Sequence, residues 1–135
     1  MPEYRVNLIE DVLRTLHQSV DGLEGSVIIS TDGFIVAAHV PAETGAGRQS
    51  KSSADSPQVA AMAASIVALG DKVLAQLERG LVNRVLLDGT EGSMVVVPVG
   101  ERAALAAMVG QGAKLGLVLL ALRRTAEQVG QILAR

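Results

Sequence analysis

Few residues in this chain could do chemistry, and they are scattered along it. There are two histidines, His17 and His39, and no cysteine, so the chain offers no thiolate ligand and no cysteine nucleophile. We expect His17 to be exposed on the polar side of a helix and His39 to be a structural residue at a strand end. Neither histidine has a second metal ligand at a useful spacing. These residue types predict no catalytic site, no metal and no cofactor, and therefore a protein that is not an enzyme.

Three short motifs look like ligand-binding loops but lack the residues that such loops need. Residues 30–34 (STDGF) and 87–92 (LDGTEG) lack the ladder of oxygen ligands and the closing glutamate of a calcium loop. Residues 110–117 (GQGAKLGL) lack the lysine and hydroxyl spacing of a phosphate loop. We interpret the first two motifs as turns and expect no nucleotide site at the third. Arg123 and Arg124 could form an arginine finger or a partner contact, although a solvated helix flank is the commoner role of such a pair.

The composition predicts one folded domain. The 135 residues are 49% hydrophobic and 19% charged, which suits a single domain over residues 1–135. With a net charge of -2 and two aromatic residues, Tyr4 and Phe34, neither nucleic acid nor an anionic membrane surface is an expected partner. The apolar run 115–122 is too short to cross a bilayer, and the N-terminus lacks the long apolar segment of a secretory signal. We expect a cytoplasmic protein without membrane insertion.

Hydrophobic spacing and turn residues predict the element order α-β-β-α-β-β-β-α. Apolar residues recur at helical spacing between Ile9 and Val20, and Ser56 with Pro57 forms a capped entry to the middle helix. The predicted helices are 5–20, 57–79 and 113–134, and the predicted strands are 26–30, 34–40, 84–88, 93–99 and 103–109. The polar stretch 41–55 is predicted to be a surface loop.

The strands predict an α/β fold of the α+β type with an antiparallel sheet. A glycine at position 33 suits a hairpin between the first two strands, and the last three strands form a meander broken by glycines. Several strands are apolar at consecutive positions, as at 94–97, instead of alternating with polar residues. Both faces of the sheet are therefore expected to be covered by helices.

The middle helix is apolar on two opposite faces. One face is interpreted as the core face, and the other as an alanine face that a second copy of the chain could approach closely. High helix propensity of alanine is the alternative explanation of that second face. The predicted core face consists of Val59, Met62, Ile66, Leu69, Val73 and Leu77, and the alanine face consists of Ala60, Ala61, Ala64, Ala68 and Ala75.

Four stretches together resemble one known family, over nearly the whole chain. They are residues 22–25 (GLEG), 30–34 (STDGF), the alanine-rich 60–69, and 115–118 (LGLV). The chain resembles the Roadblock (dynein light-chain) domain family, in particular its bacterial branch of regulators of Ras-like GTPases.

The resemblance implies a profilin-like or longin-like fold, with one five-stranded antiparallel sheet, the middle helix on one face and the terminal helices on the other. It also implies a homodimer formed through the middle helix and the third strand, and a paired-helix platform for a small GTPase. The expected dimer interface is Ala60, Ala61, Ala64, Val67, Ala68, Asp71, Leu74, Arg84, Val85 and Leu86, and the expected partner-binding residues are Ser65, Lys72, Ala75 and Gln76.

Three functions follow as hypotheses. The first is a homodimeric regulator that docks on a small Ras-like GTPase and changes nucleotide hydrolysis or exchange. The alternative is a non-catalytic adaptor that tethers a motor, polarity or signalling complex through the same dimer. The third, a small-molecule sensor, is disfavoured because the chain has few aromatic residues to line a pocket.

Overall fold

A computed structural model describes residues 3–41 and 55–134. The element order is the predicted one, and the predicted boundaries hold to within a few residues. The predicted surface loop 41–55 lies outside the described residues except for its two ends. The helices are α1 (Glu3–Ser19), α2 (Pro57–Gln76) and α3 (Leu115–Leu133), and the strands are β1 (Leu23–Ser30), β2 (Ile35–His39), β3 (Val85–Gly89), β4 (Gly92–Val99) and β5 (Ala103–Gly110).

The five strands form one antiparallel sheet in the order β2-β1-β5-β4-β3. This confirms the predicted fold class and the predicted meander of the last three strands. The β1–β2 hairpin closes where the Gly33 N–H donates to the Ser30 carbonyl at 2.9 Å, and Gly33 has a φ of 90°, a conformation that favours glycine. The STDGF motif is therefore a turn, as predicted. β2 and β3 are the two edge strands.

The terminal helices cover one face of the sheet and build the larger part of the core. Ile9 and Leu13 of α1 are completely buried, as are Val118, Leu122 and Val129 of α3. They pack in one cluster with sheet residues of β1, β4 and β5. Their spacing of four and seven residues puts them on one stripe of each helix, which is why the sequence pattern locates these faces correctly.

Helix α2 covers the opposite face through small side chains. Ala60 and Ala63 are fully buried, and they pack with Val27, Val96 and Ala104 of the sheet. Alanine on both sides lets the helix axis lie close to the strands. The predicted helix entry is confirmed, because the Ser56 hydroxyl accepts a hydrogen bond from the Val59 N–H and proline follows it in the first turn.

The C-terminal end of α2 differs from the prediction. The helix ends at Gln76 instead of near residue 79. The reason lies in the backbone, because Glu78 has a φ of 55°, which cannot continue a right-handed helix. Just before this end, the Asp71 carboxylate accepts a hydrogen bond from the Val82 N–H at 2.8 Å. That bond fixes the connection from α2 to the edge strand β3.

Candidate functional site: the outer face of α2

The outer face of α2 carries a continuous stripe of large apolar side chains. Met62, Leu69, Val73 and Leu77 are exposed by 56, 63, 49 and 61% respectively. Their spacing of four and seven residues places them on one exposed side of the helix, with Leu77 at its C-cap. We call these four residues the outer stripe. Large apolar side chains on one solvent-facing stripe usually mark a contact surface.

The predicted core face of α2 is wrong, because it contains the outer stripe and only Val59 and Ile66 of that set are half-buried. The predicted alanine face is correct in part. Ala61, Ala68 and Ala75 are exposed, whereas Ala60 is fully buried and Ala64 packs against the sheet. The core face was misplaced because larger side chains were expected to bury more apolar area. The residues of α2 that pack against the sheet are instead Ala60, Ala63, Ala64 and Val67.

The predicted interface and partner-binding residues of α2, together with Val85 of β3, fall into three groups. The first group packs between α2 and the sheet, where the folded chain covers the side chains wholly or partly: Ala60, Ala64, Val67 and Val85. Asp71 and Leu74 are half-buried near β3, and Asp71 is held by its hydrogen bond to the Val82 N–H. The exposed ones on α2 are Ala61, Ser65, Ala68, Lys72, Ala75 and Gln76, which lie along one side of the outer stripe. We call these six residues the α2 flank.

The edge strand β3 extends the apolar surface beside α2. Leu86 and Leu87 are exposed by 40 and 45%, and Arg84 is also exposed. Leu87 lies opposite Met94 in the register and shares the α2 side of the sheet with it, whereas Leu86 lies opposite Val95 and faces the other side. Within the described residues, no strand pairs with the outer edge of β3. An edge of this kind is open to pairing with another strand.

The β1–β2 hairpin borders the α2 flank. A Cβ atom built on Gly33 would lie 3.2 Å from the Cα of Ala61, so glycine is what allows the hairpin to approach the helix. The next residue, Phe34, is 72% exposed. The α2 flank therefore ends, on the hairpin side, beside an exposed aromatic ring.

The outer stripe also makes α2 the one helix, among the residues that the structure describes, that is long and apolar enough to cross a membrane by length and composition alone. Only 11% of the apolar window is buried in the fold.

Away from α2, the fold brings the two histidines together. Nε2 of His17 and Oγ of Ser26 are 2.9 Å apart, and the rings of His17 and His39 meet edge to face with centroids 4.6 Å apart. The prediction that His17 is exposed is wrong, because α1 packs it against β1 and β2. Ser26 is completely buried and His17 Nδ1 has no hydrogen-bond partner in the described part of the chain. A buried hydroxyl beside an unoriented ring lacks the geometry of a nucleophile and base.

Acid is expected to destabilise the fold through His17. Burial, and then repulsion from His39, lowers the pKa of His17 from 6.5 to about 4. Between these values the unfolded chain binds a proton that the folded chain excludes. The free energy of unfolding therefore falls as the pH drops through 6.5, and this loss is complete below about pH 4. After allowance for partial exposure of the ring, the loss is about 1–2 kcal/mol.

Urea unfolding of the wild type and of His17→Gln measures this loss at about pH 7 and about pH 4.5. Glutamine retains a hydrogen-bonding group but does not titrate, so the variant should lose less stability on acidification. The same pH dependence in both proteins would contradict the assignment to His17.

The match to a known family comes from the sequence as a whole. Residues 8–108 match the family model of the Roadblock/LC7 domain. The chain belongs to the Roadblock/LC7 family. This confirms the resemblance inferred from the four sequence stretches, and the matched region contains both α2 and β3.

This Roadblock/LC7 chain is similar in sequence to a protein of Methanocaldococcus jannaschii and similar in fold to structures of MglB. It is 25% identical to an uncharacterized protein of Methanocaldococcus jannaschii over 122 residues, which cover 90% of this chain and 96% of the relative. The fold is similar to that of MglB in a tetrameric arrangement, with a TM-score of 0.83, 20% identity and coverage of 98% and 92% of the two chains. Myxococcus xanthus MglB gives a TM-score of 0.82 at 17% identity, with coverage of 99% and 93%.

The expected likeness to profilin is also confirmed. Acanthamoeba castellanii profilin II superposes with a TM-score of 0.60 at 16% identity and covers 90% of this chain. At such low identity these structures establish the fold of the Roadblock/LC7 chain and nothing about its partners.

Proposed function

We propose that this chain is a homodimeric regulator of a small Ras-like GTPase. The observation that carries the proposal is the outer stripe of α2, on which four large apolar side chains are about half exposed or more. Covering that stripe would remove apolar surface from water without any change in the fold. The GTPase class comes from the sequence resemblance to the bacterial regulators of Ras-like GTPases.

The dimer that we propose pairs α2 with α2 and β3 with β3 around a two-fold axis. Helix α2 contacts β3, and the Asp71 carboxylate holds the segment just before β3 through its hydrogen bond from the Val82 N–H. A two-fold axis lets the same patch cover itself. Antiparallel pairing of the two β3 strands would satisfy their outer backbone groups and join the two sheets.

In this dimer the α2 flank of each copy stays exposed. The flank is formed mainly by alanines with Ser65, Lys72 and Gln76 between them, and Ser65 already donates to the Ala61 carbonyl at 3.0 Å. Small side chains make a flat, rigid surface on which a partner backbone could lie closely. Two such flanks, related by the two-fold axis, form the proposed platform for the switch regions of the GTPase.

The proposed platform would regulate the GTPase without supplying a catalytic residue of its own. The exposed Arg123 and Arg124 lie on α3, behind the sheet as seen from α2, so they are poorly placed to reach a nucleotide bound at the platform. A regulator of this kind would alter hydrolysis or exchange by repositioning the catalytic groups that belong to the GTPase.

The test is a screen of small Ras-like GTPases from the same genome as this chain. Purified dimer is expected to change GTP hydrolysis or the release of a fluorescent GDP analogue at least about tenfold for one of them. Lys72→Glu on the α2 flank should reduce that effect, while Arg14→Glu, an exposed position of α1 on the other face of the sheet, should not. A GTPase that binds stably without any change in either rate would instead support the adaptor. Absence of any effect or binding would overturn the proposal.

A further inference from the structure

A groove runs between the terminal helices, on the face of the sheet opposite α2. Its volume is about 710 Å³. Apolar side chains of α1 and α3 line its length, and the residues that precede α3 close one end. The chain is closely packed at this end, because a Cβ atom added to Gly22 would lie only 2.4 Å from the Cβ atom of Ala113. The apolar lining is Val12, Leu16, Val20, Ala113, Leu117, Leu120 and Ala121.

Two leucines on α3 are exposed beside the groove, whose lining is partly apolar and partly polar. Leu117 is 56% and Leu120 is 45% exposed. They form a ridge, because Leu120 also lines a second hollow on the other side of α3. From position 114 to position 128 the first groove follows α3 for about 21 Å, at 1.5 Å per residue. That length accommodates a helical segment of about four turns.

Cations surround the leucine ridge. Lys114 and Arg124 line the groove, and Arg84 and Arg123 line the second hollow. All four are exposed. Of these, Arg123 faces Glu127 across a loose pair of 3.8 Å. In the described ranges no carboxylate lies within ion-pair distance of Lys114, Arg124 or Arg84. The one acidic residue that lines either hollow is Asp21.

We propose that this groove binds an acidic amphipathic helix of a partner protein. Apolar side chains of that helix would fill the groove along the leucine ridge, and its carboxylates would pair with Lys114 and Arg124. The concave shape favours a helix over a lipid bilayer, which is flat on this scale. The site lies on the face of the sheet that α2 does not occupy. It would therefore bind its partner independently of the proposed GTPase platform.

The test uses a labelled peptide of about 14 residues. Its leucines have the i, i+3, i+4, i+7 spacing and its other positions are mainly glutamate; a matched peptide has lysine at every glutamate position. Fluorescence anisotropy should give a dissociation constant of about 10–100 μM for the acidic peptide and at least about tenfold weaker binding for the basic one. Arg124→Glu and Leu120→Ser should each weaken binding of the acidic peptide about tenfold or more.

Arg102→Glu is the matched control for Arg124→Glu, because it makes the same charge change at an exposed turn at the other end of β5. It should leave binding unchanged, and thermal melts should show that all variants fold. Equal affinity for both peptides, no binding up to about 1 mM, or an equal loss in Arg102→Glu would overturn the proposal. Two other results would also overturn the proposal, if the peptide does not bind. One is binding of the protein to phosphatidylserine vesicles that Arg124→Glu abolishes, and the other is self-association beyond a dimer that Arg124→Glu abolishes.

Discussion

Leu69→Glu is expected to convert the protein from a dimer of about 28 kDa, twice the chain mass of 14.0 kDa, into a folded monomer. Leu69 is the most exposed residue of the outer stripe, at 63%, so its replacement costs the isolated fold little. In the proposed dimer, however, two uncompensated carboxylates would become buried at a two-fold interface. Each buried charge without a partner costs about 3–5 kcal/mol, so the dissociation constant should rise by a factor of about a thousand or more. Light scattering measures the mass directly.

Ala75→Glu is the control, because it places the same charge on the same helix, on the exposed α2 flank. It should remain a dimer with the wild-type melting temperature. A monomeric wild type, or a Leu69→Glu protein that remains dimeric, would contradict the proposed interface. Ala64→Glu would be the variant to make if the alanines formed the interface. It does not separate loss of the dimer from loss of the fold, because Ala64 packs against the sheet.

Ala63→Leu is expected to destabilise the fold by about 2–3 kcal/mol, near the upper end of the usual cost of overpacking a core. Ala63 is fully buried between α2 and the sheet. The added isobutyl group has no space there unless the helix moves away from the strands. Urea unfolding should show this loss, and the melting temperature should fall by about 6–12 °C for a domain of this size.

Ala68→Leu makes the same change at an exposed position on the same helix, and its stability should differ from the wild type by no more than about 0.5 kcal/mol. If Ala63→Leu proves as stable as Ala68→Leu, the close packing of α2 on the sheet is incorrect. The comparison therefore tests the orientation of α2 without reference to any partner.

The sequence predicts the buried faces of α1 and α3 well because each helix has one stripe of apolar residues that runs its whole length, and this stripe packs on the sheet. Leu117 and Leu120 of α3 lie outside that stripe and are exposed. α2 has two apolar sides, so periodicity alone cannot orient it. Hydrophobicity favours the side with Leu69 and Val73, whereas the fold buries the side with Ala60 and Ala63. Which side of α2 is buried depends on the space between the helix and the sheet. Ala104 and Ala106 of β5 help to set that space, and they are far from α2 in the chain, so the local pattern of α2 does not reveal it.

The contacts between distant elements were the other features that sequence reasoning missed. His17 and His39 belong to different elements, and the register that puts Ser26 opposite His39 places all three side chains in one cluster. The groove of α1 and α3 likewise has walls that are about a hundred positions apart in the chain. Arg123 and Arg124 were noted as a possible partner contact, but only the fold places Arg124 beside Lys114 and the exposed leucines.

The two edges of the sheet differ in a way that bears on polymerisation. If two β3 strands pair around a two-fold axis, the two sheets become one sheet that has a β2 strand at each of its two edges. β2 has only five residues, its pairing with β1 shifts register between Ile28 and Ile29, and Pro41 follows close behind it. Short length, irregularity and nearby proline all discourage further strand addition. Growth by edge pairing would therefore stop at two chains, so that the assembly closes instead of extending into a fibre.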